Sequence, residues 1–216
     1  MPNTYHHENQ RISTTTALIC ALTVVIAAVC AFAATWLWTH DIGVTHENRI
    51  IENTQVFFLL LALATHALQA GRQPVSSTSL RLCHLVLAML CLSIMVREID
   101  IDKLGSQPGW ELAENLIRLT GGAGWIWLLT HVYRNRRPLW QCKTGILLTS
   151  ASLLTGLGVL FYMASWLFDK SVVPLPAERS QLWEETLQLS GTIFLFTAAL
   201  RPIHIKPFRT SLLTSS

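Results

Sequence analysis

The stretch TTALICALTVVIAAVCAFAATWLWT, Thr15 to Thr39, decides the architecture. It runs for 25 residues without a charged side chain, and about 20 apolar residues suffice for a helix to cross the hydrocarbon core of a bilayer. It closes on Trp36 and Trp38, a residue type that favours the boundary between lipid and water. Ala31-Phe32-Ala33 has the small-x-small pattern of a signal-peptidase site. The apolar run is longer than a leader's h-region and continues through both tryptophans, so the sequence predicts a retained span.

Five further apolar stretches follow, at about 50–70, 80–96, 111–133, 145–168 and 182–200. They are continuously apolar and do not alternate, which selects helices over the strands of a barrel. The expected fold class is all-α: a polytopic membrane protein of six transmembrane helices in a compact bundle, a single integral domain over residues 1–216. Composition agrees. The chain is 51% hydrophobic and only 13% charged, against ~25% charged residues in soluble domains. No polar stretch is long enough to build a second core.

Orientation follows from lysine and arginine, which accumulate on the cytoplasmic side of a membrane. Arg11, Arg72, Arg81, Arg134, Arg136, Arg137, Lys143, Arg201, Lys206 and Arg209 fall on one side of the six predicted spans. Arg49, Arg97, Lys103, Lys170 and Arg179 fall on the other. The bias places both termini in the cytoplasm, and the expected location is the bacterial cytoplasmic (inner) membrane. The net charge of +3 is spread among loops, so a basic groove for nucleic acid is not expected. Anionic lipid headgroups are the natural partners of those loops; a membrane-protein partner or a second copy of the chain is the other expected kind. Of the five cysteines, Cys20, Cys30, Cys83 and Cys91 lie in apolar runs and Cys142 in a basic loop. Neither a disulfide framework nor a CxxC zinc site is indicated.

The acidic residues are the functional lead. Of thirteen, only Glu8 falls on the cytoplasmic side. Asp41, Glu47, Glu52, Glu98, Asp100, Asp102, Glu111, Glu114, Asp169, Glu178, Glu184 and Glu185 fall at or near the outer face. Several begin a helix, where the dipole favours a carboxylate. Glu98, Asp100 and Asp102 follow a helix end, where the dipole opposes them. Charged groups at membrane depth are costly and normally face a bundle interior. The first and fifth spans carry no charge and are expected at the periphery, with the other four around an outward-opening pocket. That pocket is expected to hold Glu52, Glu98, Asp100, Glu114, Glu184 and Gln188, with Arg118 as counter-charge, paired to Glu114 at i,i+4. Glu184 and Glu185 are adjacent and point in different directions; Glu184 shares a face with Gln188 and Gly191 and is taken as the inward one.

Histidines add two possibilities. His40, His46 and Glu47 in the first outer loop could bind a transition metal, although no HxxxH or HExxH spacing supports it. His66 and His84 share faces with Glu52 and Glu98 and should meet near the inner side, as part of an inner polar path or as side chains reaching the headgroups. Gly121, Gly122 and Gly124, and the pair Ser152 and Gly156 followed by Gly158, suggest close helix approach. No GxSxG elbow or phosphate-binding loop is present. The leading expectation is cation-linked binding or transport, of a proton or a metal. The alternatives are a membrane-embedded, metal-dependent hydrolase or transferase acting on lipid, and a non-catalytic subunit of a membrane complex. A divalent metal ion is the one cofactor this chemistry would admit.

Overall fold

The computed structural model describes residues 14–40, 50–74, 77–99, 108–141, 143–201 and 203. The elements are α1 (Thr14–His40), α2 (Ile50–Arg72), α3 (Thr78–Glu98), α4 (Pro108–Arg134), α5 (Arg136–Gln141), α6 (Lys143–Leu147), α7 (Ser150–Asp169) and α8 (Ala177–Ala199). The six long helices overlie the six apolar stretches. The fifth stretch does not run unbroken from residue 145: α6 ends at Leu147 and α7 begins at Ser150. Thr149 is extended there, and its hydroxyl accepts from the amide of Ser152 at 3.2 Å. That side-chain cap satisfies one of the free amides of the new helix start and fixes the break.

Among the described residues, four helices are long and apolar enough to cross a membrane: α1 from Ala17, α2, α3 and α7. On α1, Leu18, Leu22, Val25, Val29 and Phe32 are all exposed. A continuous apolar face of this kind is not stable against water. The chain is therefore an integral membrane protein.

α8 is the centre of the bundle. It packs against α7, α2 and α1, while α3 lies on α2 and α4 lies chiefly on α3. One apolar cluster joins α1, α7 and α8 through Ala27, Ala34, Leu154, Leu189, Phe194 and Ala198. A second joins α2, α3, α7 and α8 through Leu59, Ala62, Cys91, Tyr162, Leu195 and Ala199. Surrounded by neighbours, α8 can carry Thr186, Gln188, Ser190 and Thr192 buried where a lipid-facing helix could not.

The arrangement differs from the expected one at α7 and α4. α7 lacks interior charge yet is the most extensive neighbour of α8. α4 carries Glu111, Glu114 and Arg118 yet stands at the edge, with Leu112, Leu116, Leu119, Ile126 and Leu129 exposed. Close approach, not charge, decides the position of α7. A Cβ placed on Gly158 would meet the Gly191 carbonyl oxygen at 2.9 Å, and one on Gly191 would meet Tyr162 Cδ2 at 2.7 Å. The other glycines behave differently. Gly156, Gly121 and Gly122 face open space, and only Gly124 has a near neighbour, the Met89 methyl group at 3.1 Å.

Gly191→Ala and Gly158→Ala should each lower stability by roughly 1–3 kcal/mol, because the close neighbours include backbone that cannot yield without separating two helices. Gly156→Ala should leave stability unchanged or slightly raised. Thermal unfolding of the three variants in the same detergent checks this.

Candidate functional site

Three helices meet near one end of the bundle: the first turns of α2, the end of α3 and the third turn of α8. Gln55 of α2 is fully buried. Its Nε2 donates to Glu185 of α8 twice, to the backbone carbonyl at 3.2 Å and to Oε2 at 3.0 Å. Glu98, the last residue of α3, is 8% exposed. Glu185 lies within electrostatic reach of Glu98, Glu52 and Glu184. Tyr162 of α7 closes the underside: it is within reach of Glu98, Arg97 and Glu185, and its hydroxyl is 2.6 Å from Thr192 Oγ1.

The two adjacent glutamates of α8 separate as helical geometry requires. Glu185 is the one turned to Gln55. Glu184 accepts from Gln188 Nε2 at 3.0 Å and lies 3.8 Å from Arg97 Nη2, a rim-side pair in which the arginine is 46% exposed. Both faces have acceptable periodicity, since Glu184–Gln188–Gly191 and Glu185–Gln188–Thr192 differ by one step of a helix. Sequence spacing alone could not choose between them, and it carried no sign of Tyr162.

The centre of this cluster is rich in acceptors. Among the described residues the Oε1 of Gln55 is buried and has no hydrogen-bond partner, as does the hydroxyl of Thr186, one residue along α8 from Glu185. A buried acceptor left unmatched costs about 1–3 kcal/mol. Glu185 thus accepts from an amide whose own acceptor is unused, and Glu52 and Glu98 lie within its electrostatic reach.

Glu114 and Arg118 stand elsewhere, on α4. They form an ion pair along one helix face, with Glu114 almost buried and Arg118 67% exposed. His40, at the end of α1, is exposed; its Nδ1 lies 2.9 Å from the Trp36 carbonyl, and its ring lies against Trp36 with centroids 4.4 Å apart. His46, Glu47, Asp100, Asp41 and Asp102 lie outside the described residues. Among those described, no group of three or more His, Cys, Asp or Glu is placed to hold a metal ion.

At the opposite end of α2 and α3, His66 and His84 are each 1% exposed, so neither reaches toward headgroups. Their Nδ1 atoms are 3.3 Å apart, which requires one to donate and the other to accept. One turn further along α2, Gln69 Nε2 donates to the Ala199 carbonyl at 2.9 Å. Along α2 the buried face reads Gln55, Leu59, Ala62, His66. Along α3 it reads Glu98, Cys91, Ala88, His84. The acidic cluster and the histidine pair are thus about 16 Å apart along α2 at 1.5 Å per residue, and an apolar layer of Leu59, Ala62, Cys91 and Leu195 separates them.

Fold and site together define a helical integral membrane protein with an interhelical carboxylate cluster near one end of the bundle. No family model matches the chain, and neither a curated protein nor a solved structure matches it.

The histidine pair reads as a helix-to-helix tie. His66→Leu or His84→Leu should each cost about 1–3 kcal/mol by leaving a buried partner unmatched. The double variant should cost less than the sum of the two. A double-mutant cycle of thermal stability measures the coupling directly.

Proposed function

We propose that this chain is a six-span membrane protein whose acidic end faces away from the cytoplasm and binds a cation, in the first instance a proton. α4 and α8 complete the six: at 1.5 Å per residue their 27 and 23 residues extend about 40 and 35 Å, beyond the ~30 Å hydrocarbon core. The basic segment Arg134, Arg136, Arg137 and Lys143 lies at the end opposite the carboxylates, which favours a cytoplasmic setting for that end and for both termini. A bacterial cytoplasmic membrane suits this pattern.

The observation that carries the reading is the composition of the cluster. Glu185 of α8 accepts from Gln55, whose buried Oε1 lacks a donor, and lies within electrostatic reach of Glu52 and Glu98 from two other helices. Carboxylates held this close repel one another when all are ionised, and a shared proton or a bound cation offsets the repulsion. A proton also supplies the donor that Gln55 lacks. A divalent metal is less well served, since the described carboxylates do not converge on one point. Binding is favoured over conduction, because the apolar layer closes the route toward His66 and His84 in this conformation. Glu52, Glu98, Glu185 and Gln55 form the site; Arg97, Glu184 and Gln188 form its rim.

Linkage supplies the test. If the folded cluster holds a proton that the unfolded chain releases, stability falls as pH rises through neutrality. Glu185→Gln places a permanent N–H donor at the same point. It should match the wild type in mildly acidic buffer, exceed it in mildly alkaline buffer, and lose one protonated-carboxyl band from the infrared spectrum. Equal pH dependence in wild type and variant, with no such band in either, would reduce the cluster to a structural tie between α2, α3 and α8. A wild type stabilised by sodium, calcium or zinc at constant pH, but not by acid, would replace the proton by that ion.

A further inference from the structure

Between the end of α4 and the start of α7 the chain runs through α5 and α6, a segment that the carboxylate cluster does not use. Hydrogen bonds fix both of its ends. At Asn135 the chain turns: the backbone amide and the side-chain Nδ2 both donate to the His131 carbonyl, at 3.0 and 2.9 Å. At the far end, Thr149 Oγ1 and Ser152 Oγ both donate to the Ile146 carbonyl, at 2.8 and 2.7 Å. In between, α5 and α6 pack chiefly against their neighbours in sequence. Trp140 is 71% exposed, and Tyr133 and Leu147 are exposed as well. So are Arg134, Arg136, Arg137 and Lys143.

Depth follows from α7. Its 20 residues extend about 30 Å, the thickness of a hydrocarbon core. The start of α7 therefore lies at the lipid boundary. α5 and α6, strung between that point and the end of α4, fall in the headgroup layer. This end is opposite the carboxylate cluster, because the other end of α7 meets the first turn of α8, where Ser180 Oγ donates to the Phe168 carbonyl at 2.9 Å.

Charge selects among the headgroups. No acidic residue occurs between Glu114 and Asp169, so the segment supplies no carboxylate for its own cations. Two of these are held over aromatic rings: the Arg136 guanidinium lies 4.2 Å from the centre of the Tyr133 ring, and Lys143 Nζ lies 3.7 Å from that of Trp140. Rings of this kind favour the boundary between lipid and water, and each carries its cation at the same depth. A zwitterionic headgroup brings a cation of its own beside the phosphate. An anionic headgroup does not, and it attracts basic side chains at the membrane surface. An acidic protein would meet the charges but would leave the rings without a use.

We propose that α5 and α6 form an interfacial segment that binds anionic phospholipid: headgroup phosphates meet Arg134, Arg136, Arg137 and Lys143, and Trp140 rests at the acyl boundary. The segment belongs to the leaflet opposite the carboxylate cluster and stands independently of what that cluster binds.

The test is hydrogen exchange with peptide resolution on the full chain, in nanodiscs of phosphatidylcholine or of an equal mixture with phosphatidylglycerol. Peptides covering residues 134–147 should exchange about fivefold more slowly in the mixture, while peptides at the acidic end stay unchanged. Strong salt should abolish the difference. Combining Arg134→Gln, Arg136→Gln, Arg137→Gln and Lys143→Gln should abolish it too, with unfolding at the wild-type temperature. Combining Arg134→Lys, Arg136→Lys and Arg137→Lys should preserve it. If the glutamine variant does not fold, the salt series on the wild type decides. Equal exchange in the two lipid mixtures overturns the proposal. A slowing that survives strong salt overturns it as well, as does one that inorganic phosphate reproduces in phosphatidylcholine alone, which would make the ligand a free anion.

Discussion

The contact between Gly158 and Gly191 is the constraint on which the rest of the bundle depends. It brings the backbones of α7 and α8 so close that a methyl group on either glycine would collide with the other's carbonyl oxygen. At this spacing Tyr162 reaches Thr192 across the interface and lies against Gly191. α7 shields one flank of α8, and α2 and α1 cover others. A helix enclosed in this way can carry Gln188 and Thr192 buried in the turns that follow a pair of glutamates.

The carboxylate cluster is a consequence of that enclosure. α8 brings Glu184 and Glu185 to the place where α2 begins and α3 ends. Gln55 then joins α2 to α8 through both the backbone and the side chain of Glu185. Tyr162 sits beneath, so one aromatic side chain links the glycine contact to the acidic end. The same helices carry a second polar tie at their other end, His66 with His84 and Gln69 with Ala199. Between them lies a layer of apolar side chains. The bundle is therefore polar near both ends of its core and dry in the middle, a pattern that suits local binding at the acidic end more than passage through the bundle.

α4 follows different rules. Its charges satisfy each other along one face, Glu114 with Arg118, so they do not draw the helix into the core. Its glycines open space instead of closing it. The contrast with Gly158 and Gly191 is instructive: a glycine permits close approach, but a facing helix with small residues of its own must also be present. Gly121 and Gly122 have no such partner and leave a groove.

Much of the fold was legible in the residues. Apolar runs of about bilayer length located the six long helices, four of which are long and apolar enough to cross a membrane, because hydrophobic length is a property of the chain alone. The helical period also placed Glu52 with Gln55 on one face of α2, and His84 with Cys91 and Glu98 on one face of α3. The pairing of those faces was not legible. Whether Glu184 or Glu185 turns inward depends on the rotation of α8, which α7 sets through Gly158. Which charged helix stands at the centre depends on whether its charges are matched along the helix or across it. The sequence by itself determined which segments are helices, how long they are and which residues share a face. Only the tertiary structure decided which faces meet, because helix rotation and neighbour choice follow from packing between segments distant in the chain.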